Sequence, residues 1–193
     1  MFTQDYLMRM INQVLAALMT ALGLRKAGKY SEAIQVIDQA AEQLTTLPAN
    51  LIDQMDDPAV LSALTFQGQL ETGRLALLAD LYQEKGEIQS QMDPASQTFF
   101  SFSRSLRFRL EVVLADDNNL DPENIGKIEP LFSRLKDRDL PVDTLLALSD
   151  YYQRLLVKED QFLASANISR QQVNKNIVYL QDRLGPPQAP IGD

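Results

Sequence analysis

The chain has 193 residues, a net charge of −8, and neither cysteine nor histidine. That length suffices for one domain with a real core, because a globule of this size hides about 70% of its unfolded surface. Without Cys or His there can be no zinc site of the usual kind, no cysteine nucleophile, no disulfide and no acid–base chemistry on imidazole. An acidic chain lacking a basic stripe is also a poor nucleic-acid binder, since affinity for phosphate backbones comes largely from Lys and Arg. The charge is uneven: residues 51–100 carry net −6, and residues 151–193 carry net +1.

Helical punctuation runs the length of the chain. A first helix, capped by Thr3, extends to about Lys26 and stops at Gly28, a residue that tolerates the left-handed conformation. Two apolar stripes run along it, Leu7–Ile11–Val14–Leu18–Ala21 and Met8–Leu15–Met19–Leu22. A helix apolar over most of its circumference should be covered on several sides, by later helices or by a second copy. Met8, Leu15, Met19 and Leu22 are therefore the candidate self-association face of a homodimer. Its apolar run, residues 14–24, falls well short of the roughly 20 residues a spanning helix needs. Asp5 offsets Arg9 ahead of it, and no small-residue cleavage pattern follows. The expectation is a buried first helix, no membrane and a cytoplasmic chain, which the lack of cysteine also fits.

Ser31 opens a second helix with Ala33, Ile37, Ala40 and Leu44 on one face. Asp57-Pro58, Asp93-Pro94 and Asp121-Pro122 each read as an N-cap followed by proline at the first helical position. They delimit helices near 58–64 and 94–115 and one starting at 122, with another near 66–85. Pro130 interrupts the stripe Ile125–Ile128–Phe132–Leu135 and predicts a kink or break. Pro141 opens a helix with Leu145, Leu148, Tyr152 and Leu155 inward, extending toward or past Phe162. The last helix starts at the capping box Ser169–Gln172, carries Val173, Ile177, Leu180 and Leu184, and stops at Gly185-Pro186-Pro187. The expected fold is all-α, with about seven or eight helices, in one domain over 1–184 and a disordered tail over 185–193.

Ala21, Leu24, Gly28, Tyr30, Ala33, Ile37 and Ala40 resemble a tetratricopeptide repeat in their spacing. Small Ala residues let two antiparallel helices approach, Gly makes the turn, and the large residues fill the gap. The chain departs from that pattern at Ala17, where a bulky residue is expected, and at Pro48, which comes late. "LLADLYQEKGEI" (77–88) echoes the spacing through Ala79, Tyr82 and Gly86. The resemblance implies antiparallel helix pairs in a right-handed arrangement and a protein-binding role. Leu18 and Leu22 stand where some members carry a carboxylate clamp, so that clamp is missing. The opening "MFTQDYLMRMI" is similar to the start of a bacterial family of unknown function, which brings no activity with it and favours a bacterial origin.

Three further stretches carry patterns of their own. "FLASANISRQQVNKNIVYLQDRLG" (162–185) resembles the helix-turn-helix of LysR-type regulators, with Asn167, Ile168, Ser169, Val173, Ile177, Leu180, Leu184 and Gly185 at matching spacings. The resemblance implies DNA contacts by Ser169, Arg170, Gln171 and Lys175. A capping box and an apolar stripe explain the same residues. "DDNNLDPEN" (116–124) alternates oxygen-bearing side chains as a calcium loop does, but Pro122 and Ile128 fill the places of its Gly and bidentate Glu. It reads as a solvated turn with an N-cap. In "SFSRSLRFRLEV" (101–112), Phe102 and Phe108 interleave with Arg104, Arg107 and Arg109. On a helix, Phe99, Phe102, Leu106, Leu110 and Val113 form one buried stripe and the Arg residues pair with carboxylates. No Gly-rich phosphate loop and no converging catalytic or metal-binding set stands out, so no catalytic residue, cofactor or metal is expected. The leading reading is a non-enzymatic helical protein–protein interaction protein, an adaptor or scaffold with an unknown partner. A DNA-binding regulator acting through 162–185 is the alternative.

Overall fold

The computed structural model describes residues 4–92 and 95–185, the side chains of 4–7, 95 and 96 apart. The cap expected at Thr3, the Asp93-Pro94 pair and the tail beyond Gly185 lie outside the described residues. The fold is all-α, with ten α-helices among the described residues and one two-stranded hairpin. The chain packs as two compact units, Met1–Val112 and Val113–Asp193. The sequence reading of one domain over 1–184 thus meets a chain organised as two units.

In the first unit, α1 (Gln4–Lys26) and α2 (Tyr30–Thr45) form an antiparallel pair around Gly28, whose φ of +74° lies in the left-handed region. Ala21, Ala33, Ile37, Ala40 and Leu44 are buried between helices. α2 ends with Thr46 in the left-handed conformation. Short helices follow: α3 (Ala49–Gln54) and α4 (Asp57–Ala63). α3 carries no pattern that marks it in the sequence; the Glu42 side chain from α2 accepts a hydrogen bond from the Ala49 N–H at 2.9 Å and fixes its start. At α4 the cap is Asp56, which accepts from the Ala59 N–H at 2.9 Å, and not Asp57 as expected. Asp57 is instead the first helical residue, with its carboxylate 2.9 Å from Arg104.

Residues 65–70 form a hairpin where a helix from about 66 is expected: Thr65–Phe66 pairs with Gln69–Leu70, Thr65 opposite Leu70. Gln67 and Gly68 both have positive φ (51° and 78°), as a two-residue turn matched to strand twist requires. The helix expected from about 66 therefore begins only at α5 (Thr72–Gln89). α6 (Ala95–Ala115) follows. Gly86, the position that echoes Gly28 in sequence, is not at a turn. It lies inside α5, and a Cβ built there would stand 2.8 Å from the Phe102 ring, so glycine here serves a close approach between α5 and α6. Ser105 reinforces that approach by donating to the Ala79 carbonyl at 2.8 Å.

The second unit holds a 3-10 turn (Asp117–Asn119), α7 (Pro122–Leu135), α8 (Val142–Leu156), α9 (Asp160–Ser165) and α10 (Arg170–Leu184). Asp121 caps α7 through the Asn124 N–H at 2.8 Å, with Pro122 first in the helix. α7 runs continuously through Pro130, where a kink or break was expected. The carbonyl that Pro130 frees belongs to Gly126, and both residues are exposed, so water can satisfy it. Asp116 and Asp121 of the acidic stretch act as caps, and Asp117 pairs with Arg154 at 2.6 Å. α8 stops at Leu156 rather than reaching Phe162, because Arg170 gathers the Leu156 and Lys158 carbonyls. Ser169 caps α10 by accepting from the Gln172 N–H at 3.1 Å, which is half of the expected capping box. The Gln172 side chain reaches Glu129 instead.

Candidate functional site

Three features stand out: one face of α1, a buried polar cluster in the first unit, and a cleft in the second. On α1, Val14 and Ala21 are buried and Ile11 and Leu18 half-buried, so the first of the two stripes faces inward. The second faces out. Met8 is 53%, Leu15 49% and Met19 70% exposed, and Leu22 is half-buried. From Met10 to Leu24 the sequence contains no charged residue. Gly23 lies within this face, and a Cβ there would meet open space.

The repeat-like residues occupy the core side of the same pair. Ala21, Ala33, Ile37 and Ala40 are buried, Leu24 and Tyr30 are half-buried, and Gly28 makes the turn. Arg25 joins α1 to α5 through Glu84 at 3.1 Å. Burial raises the Glu84 carboxyl above the ordinary range, against the pull of Arg25.

The buried cluster joins α2, α3, α5 and α6. The Lys85 ammonium, on a residue 7% exposed, lies 2.8 Å from Asp38 and 2.7 Å from Asp53. Burial alone would push its pKa down, but hydrogen bonds and charge from the two carboxylates outweigh it and hold the group above its usual value. The Tyr82 hydroxyl donates to Asp53 at 2.7 Å and is pushed well up, chiefly by burial and then by Asp53. Arg104 binds Asp57, donates to the Ile52 and Met55 carbonyls, and stacks over Phe100 at 4.5 Å from the ring centroid. Arg109 pairs with Asp80 and Gln83, and Arg107 with Glu111. Phe102, Leu106, Leu110 and Val113 are buried. The Arg-aromatic stretch is thus core and ion pairs. The bonds from Lys85 and Tyr82 to Asp53, with those from Arg104 to the Ile52 carbonyl and the Tyr82 hydroxyl, lock α3 onto α5 and α6.

In the second unit a cleft of about 400 Å³ is lined from α7 and its C-cap by Glu129, Phe132, Ser133 and Lys136, and from the α10 segment by Ser169, Gln171, Gln172, Lys175 and Asn176. Two tyrosines of α8 hold its Glu129. Glu129 Oε1 accepts from the Tyr151 and Tyr152 hydroxyls at 3.0 and 2.9 Å, and Oε2 from Gln172 at 3.3 Å. The Tyr152 hydroxyl also accepts from Asn176 at 2.8 Å, tying both walls together. Tyr179 donates to the Lys136 carbonyl, and Phe132 packs against Tyr152 and Tyr179. Burial raises the Glu129 carboxyl above its ordinary value, and the hydrogen bonds from Tyr152, Tyr151 and Gln172 only partly oppose this. Both tyrosines are pushed well up by burial and by Glu129.

Of the residues tied to the DNA reading, Ser169, Gln171 and Lys175 line this cleft. Arg170 points elsewhere. It binds Asp160 at 3.0 Å and the two carbonyls that end α8 and its following turn. Sequence reasoning missed Glu129, Lys136 and Asn176. A carboxylate within the α7 apolar stripe, four residues from Ile125 and three from Phe132, was the available signal.

Among the described residues no group of acidic side chains is placed to hold a metal ion, and no helix is long and apolar enough to cross a membrane. These features define an all-α protein whose buried charges chiefly organise helices. The chain belongs to a family of unknown function (DUF6483), whose model matches residues 1–185. No curated protein and no solved structure matches it.

Proposed function

We propose that this chain is a non-enzymatic helical interaction protein, an adaptor or scaffold of the bacterial cytoplasm, that self-associates through the outer face of α1. The observation that carries the reading is the exposed apolar face of Met8, Leu15, Met19 and Leu22, the last three within a run, Met10 to Leu24, that holds no charged residue. A surface helix ordinarily sets charged side chains toward water. Two copies of a chain with net charge −8 repel, and an uncharged face is where identical surfaces meet without opposing like charges. The spacing is self-complementary as well. Met8, Leu15 and Leu22 are seven residues apart, so an antiparallel pairing about a two-fold axis at Leu15 sets Met8 of one copy against Leu22 of the other. Buried Ala21 and Ala33 beside the Gly28 turn support reading α1–α2 as a tetratricopeptide-like pair.

Sedimentation equilibrium tests this. The wild type is expected at the mass of two chains at micromolar concentration. Leu15→Glu combined with Met19→Glu is expected to give a folded single chain, with helical content retained by circular dichroism. A wild type that stays at one chain throughout overturns self-association.

A further inference from the structure

The cleft in the second unit holds charges that its own side chains leave uncompensated. Glu129 stands on one wall, and Lys136, the C-cap residue of α7, lies seven residues further on, about 10 Å at 1.5 Å per residue. Lys175 stands on the other wall, three residues past the Gln172 that touches Glu129. Among the described residues no ion pair is made by Lys136, Lys175 or Glu129. The buried cations Lys85, Arg104 and Arg109 of the first unit all have carboxylate partners. Glu129 is satisfied only by neutral hydroxyls and one amide, and Oε2 accepts a single long bond. Desolvation raises its pKa, and the hydrogen bonds it accepts only partly oppose that.

We propose that this cleft binds a short peptide-like zwitterion, with its ammonium group on Glu129 Oε2 and its carboxylate held by Lys175 and Lys136. An extended chain rises about 3.3–3.6 Å per residue, so two or three residues bridge the distance between the two charged ends. A volume near 400 Å³ is at the lower end of small-molecule pockets, which suits a ligand of that size and not a folded partner. Ser133, Gln171 and Asn176 offer partners for peptide N–H and C=O groups. The tyrosine and amide bonds across the walls hold the cleft ready, which limits the ordering cost of binding. This site is independent of the α1 surface.

Titrations of the full chain, followed by calorimetry and by amide chemical shifts, test it with three probes: triglycine, N-acetyl-triglycine and triglycine amide. Triglycine is expected to bind, and loss of either charge should weaken binding about tenfold. Glu129→Gln should remove the preference for triglycine over its acetylated form. Lys136→Gln combined with Lys175→Gln should remove the preference over the amide. Shifts should map to α7 and α10. No binding of triglycine at 10 mM (roughly the weak limit of useful recognition), equal binding of the three probes, or shifts confined to other helices would each overturn the proposal.

Discussion

The two units treat buried charge in opposite ways. In the first, Lys85, Arg104 and Arg109 are sunk among helices, and each meets an aspartate directly. In the second, the charge is a half-buried carboxylate, Glu129, surrounded by tyrosine hydroxyls and an amide, with the lysines of the cleft held off. The contrast teaches that burial alone does not say what a charge is for. A charge whose partners lie on several different helices fixes their packing. A charge left with neutral partners beside open space keeps an oxygen with room for a further hydrogen bond.

The comparison can be broken most forcefully at Arg104. Arg104→Met should strip Asp57 and two backbone carbonyls of their partner while keeping apolar bulk against Phe100. A loss of about 3–5 kcal/mol is expected, read as a lower urea midpoint. An unchanged midpoint would mean that the cluster does not organise the first unit.

Arg170→Ala comes next. Arg170 serves the end of α8 through two carbonyls and Asp160, so its loss should cost about 1 kcal/mol. Lys175→Ala, at a cation without such partners, should leave stability within about 0.5 kcal/mol. Equal losses at both positions would erase the distinction between a held and a free cation.

The smallest effect, and the one with opposite sign, belongs to Glu129→Gln. A carboxyl whose folded pKa is raised contributes stability that is fully present below its unfolded pKa and is lost as pH rises through the folded value. The variant does not titrate. Its urea midpoint should therefore gain on the wild type as pH rises from acid to neutral. A constant difference across that range would show that Glu129 is not desolvated.

The all-α fold was legible because local chemistry states it. Apolar residues recur every three or four positions, Gly28 sits at a turn, and Asp121 and Ser169 cap their helices from within four residues. What sequence did not show is settled at long range or by short elements. Asp56 and Asp57 are equivalent as caps until Arg104, 47 residues from Asp57, takes one of them. The hairpin has strands of two residues each, too short for an alternating pattern to declare itself. α3 has six residues, below the span at which helical periodicity can be read. The α1 stripes were visible, but which of them faces out depends on how α2 and α5 wrap. The cleft was least legible, because Glu129 draws its surroundings from α8 and α10, more than 20 residues away.

The contact between Gly86 and Phe102 bears on how this family can diverge. Any side chain at 86 collides with the ring at 102, while a smaller residue at 102 opens the room that a Cβ needs. The two positions therefore form an epistatic pair: Gly86→Ala alone is harmful, and with Phe102→Leu it is tolerated. Drift along one lineage should change 102 first and 86 afterwards. Relatives that carry Ala at the first position should carry a trimmed residue at the second.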